Sequence, residues 1–383
     1  MCCRPSKRGT ERYVTVASQR AREPIAPALE AWLSRNLADD ADLELHEIAR
    51  PKGGFSAHTL LLRVSTNLRG QRSEHNWVVR LEQTGREIFP DTDIGRQVQM
   101  MRGLAAHGIP VPVVLGFERD RSLLGGQFLV MERIFGHSLP QHPSYQVTGL
   151  LHDLAPDRRC AMWEDSITTI GRINRLDWRS GFAFLDKPAY GAPGLTQYLG
   201  WLDGWRQSAG DGEPHPVIDA AMRYLIANKP ATRHVDVLWG DSNPGNILFG
   251  GDGSLLAAHD FEASALGPGE IDLGWWFFID ELLSAGAPRL AGLPERATLI
   301  ATYERLLGRS VDTLEYYEVL AGVRICLVVV RSTQLLVREG RLRSDSHAGF
   351  ENPLVHLLGR KLGLECHGPI EDYMELVTVM NRR

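Results

Sequence analysis

The sequence predicts an α+β chain of two unequal lobes: a small sheet-rich N-lobe and a larger, mostly helical C-lobe carrying one β-hairpin. Three observations lead there. Strand-like runs dominate up to about residue 134, helical periodicity takes over after it, and one strand–turn–strand stretch interrupts the helices. With 383 residues, 43% of them hydrophobic, the chain can bury a core in each lobe.

Residues 1–23 carry charge but no apolar run and read as a flexible tail without an export signal. The N-lobe then runs over 24–134. "APALEAWLSRNLA" has apolar residues at helical spacing. "LELHEIARPKGGFSAHTLLLRVST" reads as strand, glycine turn and strand, and "HNWVVRLEQ", with β-branched Val78 and Val79, as a third strand. "DIGRQVQMMRGLAAHG" is a helix stopped by Gly108, after which "IPVPVVLGFE" restarts extended. "GGQFLVMERIFGHSL" is a strand leading into a connection marked by Gly136. The C-lobe takes residues 135–383. Its helices fall near "RRCAMWEDSITTIGRINRLDW", "GLTQYLGWLDGWRQSA", "HPVIDAAMRYLIANK", "EIDLGWWFFIDELLSAG", "PERATLIATYERLLG", "TLEYYEVLAGVRICLVVVRSTQLLVREG" and "PIEDYMELVTVMN".

Composition removes some functions. A net charge of −5 with both signs dispersed argues against a broad nucleic-acid surface. No apolar run reaches the ~18–20 residues that span a bilayer. The odd count of five cysteines, without metal-ligand spacing, suits a reduced cytoplasmic setting. No feature of the sequence signals an oligomeric state.

The stretch that carries chemistry is "VLWGDSNPGNILFGGDGSLLAAHDFE", Val237 to Glu262. "NILF" and "LLAAHD" flank "GGDGS", whose Gly and Asp supply the positive φ of a tight reversal. Pairing the strands brings Asn246 and Asp260 close to opposite each other. Asp241 enters from the preceding loop. Three hard-oxygen side chains then converge at one end of the hairpin, a set that suits Mg2+, which takes further ligands from water and phosphates. Taken singly, each residue also fits a polar turn with capping side chains. The joint pattern of Asp, four residues, Asn, strand, turn, strand and Asp matches the template of phosphoryl transfer.

"WGDSNPGN" followed by "HDFE" resembles the catalytic and metal-binding segments of the aminoglycoside phosphotransferase family, which has the protein-kinase-like fold. "GGFSAHTLLLRV", "WVVRLEQ", "IPVPVVLGF", "FLVMERIFGHSL" and "GPGEIDLGWW" extend the likeness over about residues 27 to 350. It is strongest toward the branch fused to some acyl-CoA dehydrogenases. The resemblance implies an ATP- and Mg2+-dependent enzyme that phosphorylates a hydroxyl of a small-molecule acceptor, hydroxyacyl or lipid-derived or antibiotic-like. It implies Asp241 as catalytic base, Asn246 and Asp260 as Mg2+ ligands, and Asp272 as the tie for the catalytic loop, unless Asp272 merely caps a helix. Glu262 is either a further metal ligand or an ion-pair partner. Gly53, Gly54 and Ser56 would cover the phosphates. Backbone groups of Glu132 and Ile134 would read the adenine edge.

The chain departs from the family pattern in three places. Arg80 stands where a phosphate-contacting Lys is usual; it grips phosphate, or lies on the surface of an edge strand. Gln97 replaces the Glu partner of that Lys. Trp239 replaces a His before Gly240, and its indole N–H needs a partner. These departures leave an alternative function, a nucleotide-binding pseudokinase scaffold without turnover. "GWWFF" reads as core, and His259 as structural on the strand face opposite Asp260. Arg324 and Arg331 share a helix face, where they pair with carboxylates or line an anionic pocket.

Overall fold

The computed structural model describes residues 24–38, 41–51, 58–82, 84–366 and 368–381. The N-lobe comprises α1 (Ala26–Leu37), β1 (Asp42–Ala49), β2 (His58–Leu68), β3 (Gln71–Leu81), α2 (Ile94–Ala106), β4 (Val114–Glu118) and β5 (Phe128–Glu132). Its strands form one antiparallel sheet in the order β1-β2-β3-β5-β4. The third strand starts earlier than "HNWVVRLEQ" suggests. Leu68 pairs with Gln71 across a two-residue turn in which Arg69 and Gly70 both take positive φ, the geometry that matches strand twist.

Alternation along β3 sorts the lobe into two packed layers. Trp77, Val79 and Leu81 join Leu29, Trp32, Leu33 and Phe128 in a core between the sheet and α1. Val78 belongs to the larger core that continues through α2 into the C-lobe. Arg80 follows at the same period of two, so it shares the Val78 face. β3 lies between β2 and β5, which corrects the edge-strand alternative for Arg80.

The C-lobe comprises α3 (Leu150–Asp153), α4 (Pro156–Asn174), α5 (Leu195–Ser208), α6 (Pro216–Ala227), β6 (Asp236–Leu238), β7 (Ile247–Phe249), β8 (Leu255–Ala258), β9 (Ala265–Gly267), α7 (Glu270–Ser284), α8 (Arg296–Leu307), α9 (Leu314–Arg338), α10 (Pro353–Lys361) and α11 (Glu371–Asn381). β7 and β8 form the expected hairpin, and β6 pairs with β9 beneath it. The β6–β9 ladder, α3 and α10 were not legible in the sequence. One helix, α9, is long and apolar enough to cross a membrane by length and composition, although Arg324 and Arg331 interrupt its apolar run. It is the buried central helix of the lobe, packed on α7, α6 and α10.

The hairpin is fixed from both sides. Phe249 exchanges backbone hydrogen bonds with His137 of the connection after β5, at 2.8 and 3.0 Å. The Ala258 amide donates to the Pro110 carbonyl, between α2 and β4, at 2.8 Å. The residues expected from the sequence to hold a metal therefore hang from a frame bonded to the N-lobe. Among the described residues Cys160, Cys326 and Cys366 are free thiols.

Candidate active site

The loop between β6 and β7 is held open by one carboxylate. Asp272 is fully buried on the first turn of α7, and its Oδ2 accepts from the Trp239 amide at 2.8 Å while Oδ1 accepts from the Gly240 amide at 2.9 Å. Asn174 Nδ2 adds a third bond to Oδ2, at 2.8 Å. The side chain thus ties the loop and does not cap its own helix. Burial raises the Asp272 pKa, opposed by the Asn174 donor and the two amides. Gly240 has φ +90°, and a Cβ there would lie 2.1 Å from the Ala263 carbonyl oxygen, so no side chain fits. Trp239 is fully buried and its indole N–H donates to the His259 carbonyl at 3.0 Å, which supplies the partner it required.

Asp241 follows directly. Its Oδ1 accepts from Asn243 Nδ2 and from Trp275 Nε1, both at 2.8 Å; its Oδ2 accepts from Asn246 Nδ2 at 2.7 Å. A carboxylate has about four lone-pair sites. Three are filled, and the one left, on Oδ2, is free for an acceptor hydroxyl. Burial raises the Asp241 pKa; the Arg324 charge opposes it, the Asp260 charge reinforces it, and the Asn246 and Asn243 bonds oppose it. The carboxylate is thereby a better proton acceptor than an exposed Asp. Trp275 was read as core from its aromatic run, and 3% exposure agrees, yet its N–H reaches Asp241. Its placement one helical turn after Asp272, on the same face, was the cue available in the sequence.

Asn246 donates through Nδ2 to both the Asp241 carboxylate and the Asp241 carbonyl, at 2.7 and 2.9 Å. Both partners are acceptors, so the amide orientation is set and Oδ1 points elsewhere, available as a ligand. The Asn246 carbonyl accepts from the His259 amide at 3.0 Å, which puts His259, and not Asp260, opposite it. β8 ends at Ala258 and Asp260 takes φ +64°, a left-handed conformation uncommon for a non-glycine residue and characteristic of functional sites. The extended run assumed for Glu262 is therefore broken. Glu262 reaches the same region through a turn, with Arg80 as common partner: Arg80 Nη2 lies 3.2 Å from Asp260 Oδ1 and 3.8 Å from Glu262 Oε2. Against the pull of burial, these two carboxylates hold the guanidinium above its ordinary pKa. Burial drives the neighbouring His259 imidazole down to about 4, so it stays neutral and structural.

The donors fit a hard cation. Asp260 and Glu262 already gather a positive group, and Asn246 presents a free amide oxygen. Among the described residues no three His, Cys, Asp or Glu side chains form a self-sufficient metal cage.

The nucleotide side is less complete. Gly53, Gly54 and Ser56 lie outside the described residues. The Glu132 amide is committed to the Val113 carbonyl at 2.9 Å, whereas Ile134 makes no hydrogen bond among the described residues. Gln97 is buried on α2, but among the described residues no hydrogen bond joins it to Arg80, whose Nε is buried without a partner. Arg324 forms no ion pair with a carboxylate among the described residues; it donates to the Gly240 carbonyl. Arg331 donates through Nε to the Glu87 carbonyl at 3.0 Å.

Comparison with known proteins follows the same lines. The family model described as "Phosphotransferase enzyme family" matches residues 47–317. Human acyl-CoA dehydrogenase family member 11 is 24% identical over 295 residues, which is 73% of this chain and 35% of that protein. The chain spans about a third or less of the length of the curated relatives it matches. A solved structure from Ralstonia eutropha, a candidate aminoglycoside phosphotransferase, covers 92% of this chain and 98% of its own at 20% identity and TM-score 0.63. An aminoglycoside phosphotransferase solved with GDP and kanamycin covers 87% of this chain and 97% of its own, at 12% identity and TM-score 0.53. These likenesses establish the bilobal kinase-like fold.

Proposed function

The chain belongs to the phosphotransferase enzyme family, and we propose that it is an ATP- and Mg2+-dependent kinase moving the γ-phosphate to a hydroxyl of a small molecule. One observation carries this reading: Asp241 is held by Asn243, Asn246 and Trp275 with a single acceptor site left on Oδ2, and Asp260 is close enough for its charge to act on it. Asn246 and Asp260 would hold Mg2+, with Glu262 as a further ligand, and the ion supplies neutralisation of phosphate charge when bound. Asp241 Oδ2 takes the hydroxyl proton as the acceptor oxygen bonds to the γ-phosphorus and ADP leaves with the electrons of the broken P–O bond. Positioning does most of the work, so Asp272 contributes by fixing the Trp239–Gly240 backbone from which Asp241 projects. Arg80 would turn its fork to the nucleotide phosphates, and the Ile134 backbone would meet the adenine edge.

The matched acyl-CoA dehydrogenase family members put hydroxyacyl and other lipid-derived hydroxyl compounds at the head of the acceptor panel, ahead of antibiotics. The test is ADP release from Mg-ATP with that panel, for the wild type and Asp241→Ala. Turnover in the wild type that is lost in the variant is expected; turnover unchanged in Asp241→Ala would sink the proposal. A second reading rests on Arg80 bonding to Asp260 where a kinase needs its metal. Under it the protein binds nucleotide as a scaffold, which thermal stabilisation by Mg-ATP without ADP release from any acceptor would support.

A further inference from the structure

The centre of α9 places a charged group beside Asp241 that the proposed reaction does not use. Arg324 is 1% exposed, and it is packed face-on against Trp275, with Cζ 4.1 Å from the ring centroid. That indole is the one whose N–H holds Asp241. Phe89, from the segment joining β3 to α2, covers the guanidinium from the N-lobe side at 5.5 Å. Nη1 donates to the Gly240 carbonyl. Nε and Nη2 are buried and have no partner. These two nitrogens form one edge of the planar guanidinium, the fork that receives a carboxylate or phosphate with two parallel bonds.

A second buried polar group without a partner stands next to it. Tyr198, on α5, is 2% exposed; its hydroxyl makes no hydrogen bond of good geometry, but it lies close enough to Arg324 for that guanidinium to act on it as a donor. Its electrostatic neighbours are Arg324, Asp272 and Asp241. Buried donors left unpaired are rare and costly, at ~1–3 kcal/mol each and more when charged. One indole separates Arg324 from the residue proposed to take the acceptor's proton, and Tyr198, from a different helix, is within electrostatic reach of both.

Charge balance for the buried carboxylates is the competing explanation of Arg324. It accounts for a positive charge here, but not for the direction of the fork. Among the described residues neither Asp241 nor Asp272 accepts a hydrogen bond from Arg324, and each already accepts three from other donors.

We propose that the Nε–Nη2 edge of Arg324 and the Tyr198 hydroxyl form an anion subsite, so that the acceptor carries a carboxylate or phosphate close to the hydroxyl that is phosphorylated. The proposal rests on the kinase reading for its link to catalysis, and it narrows the acceptor to a hydroxylated anion. Polycationic acceptors are disfavoured by the same group, because an unpaired buried guanidinium repels them. Phe89 and Arg324 come from opposite lobes, so parting of the lobes opens the subsite to its ligand.

The experiment measures thermal stabilisation of the full chain by four probes, with and without Mg-ATP. 3-Hydroxybutyrate and glycerol 3-phosphate are the anions; 3-hydroxybutyramide and glycerol are their neutral counterparts. The wild type should respond saturably to at least one anion and to neither neutral probe. A response to the carboxylate alone or to the phosphate alone also identifies which anion the subsite takes. Arg324→Gln should weaken the response by about tenfold or more, the loss expected for a charge-assisted pair. Tyr198→Phe should weaken it by less. Arg324→Lys keeps the charge but not the fork, and serves if the Gln variant does not fold. Equal responses to neutral and anionic probes, or anion binding unchanged in the Arg324 variants, would overturn the subsite. ADP release in the same samples keeps the two proposals separate. Anion binding without ADP under any condition counts against the kinase and for the subsite; ADP release with neutral acceptors alone counts the other way.

Discussion

At the scale of single residues, the site works by leaving little unsatisfied except what a ligand needs. Asp241 has three donors and one open acceptor site, and each donor favours its charged form. As the proposed base it would act when deprotonated, so activity should be lost as pH falls through its pKa. Burial has raised that pKa. Trp275→Phe removes one donor to the charged form and should move the acid limb of the kcat/KM profile to higher pH. It should also lower kcat by about tenfold through looser positioning. A limb that stays put while kcat falls would show that the indole only packs. Asp272→Ala makes a different prediction, because it strands the buried amides of Trp239 and Gly240. The expected loss is about 2–6 kcal/mol in urea unfolding, from ~1–3 kcal/mol per unpaired donor. A loss below ~1 kcal/mol would mean that the loop finds other partners. Why Asp241, Asn246 and Asp260 were legible and Trp275 was not has a physical basis. The first three are polar residues at fixed offsets around a turn, a pattern few structures require. An indole inside "GWWFF" is indistinguishable by hydrophobicity from Trp276, which is fully buried in the core and bonds to no catalytic group.

At the scale of elements, legibility follows how local the cause is. The hairpin β7–β8 was readable because its glycine-rich turn is encoded in adjacent residues. The β6–β9 ladder joins segments far apart in sequence, each three residues long, too short for an alternation pattern. α6 shows how a local device becomes sensitive to solvent. Its N-cap is His215, whose Nδ1 accepts from the Ile218 amide and whose Nε2 therefore carries the proton, facing the Gly349 carbonyl at 3.3 Å. The ring stacks on Phe350 at 4.8 Å, and burial lowers its pKa below 6.5. The unfolded chain takes up a proton near pH 6.5 and the folded one does not. Stability from this group is thus present above 6.5 and lost as pH falls from there toward the folded value. Denaturant unfolding at pH 7.5 and 5.5 should show a drop in the wild type that is smaller in His215→Asn, which keeps a cap acceptor but does not titrate. The difference is at most about 1.4 kcal/mol per pH unit. Parallel pH slopes in the two proteins would exclude His215 as the cause.

At the scale of the whole molecule, the question is what joins the lobes across the cleft. Arg86 pairs with Glu339 at 2.6 Å, Arg331 bonds to the Glu87 carbonyl, and Arg80 reaches Asp260 and Glu262. The last contact differs from the others because its acidic partners are the proposed metal site. The two carboxylates gather a cation, and Arg80 is the cation they hold here. In the proposed reaction, Mg-ATP would bring both a competing cation for the carboxylates and phosphates for the guanidinium. One exchange of partners would then release Arg80 from Asp260 and turn its fork toward the nucleotide, the role the sequence proposes for it in place of a Lys. Arg80→Gln should consequently have two effects that a surface arginine would not produce. The KM for ATP should rise by about tenfold or more, since a charge-assisted contact is worth ~1.5–3 kcal/mol. Without nucleotide, the lobes should separate more, seen as a larger radius of gyration in solution scattering, because a central interlobe pair is gone. Arg80→Lys should recover part of the KM, as a point charge without the fork. If the Gln variant binds ATP as the wild type does and only the scattering changes, Arg80 is an interlobe pin and the nucleotide phosphates are held by other groups.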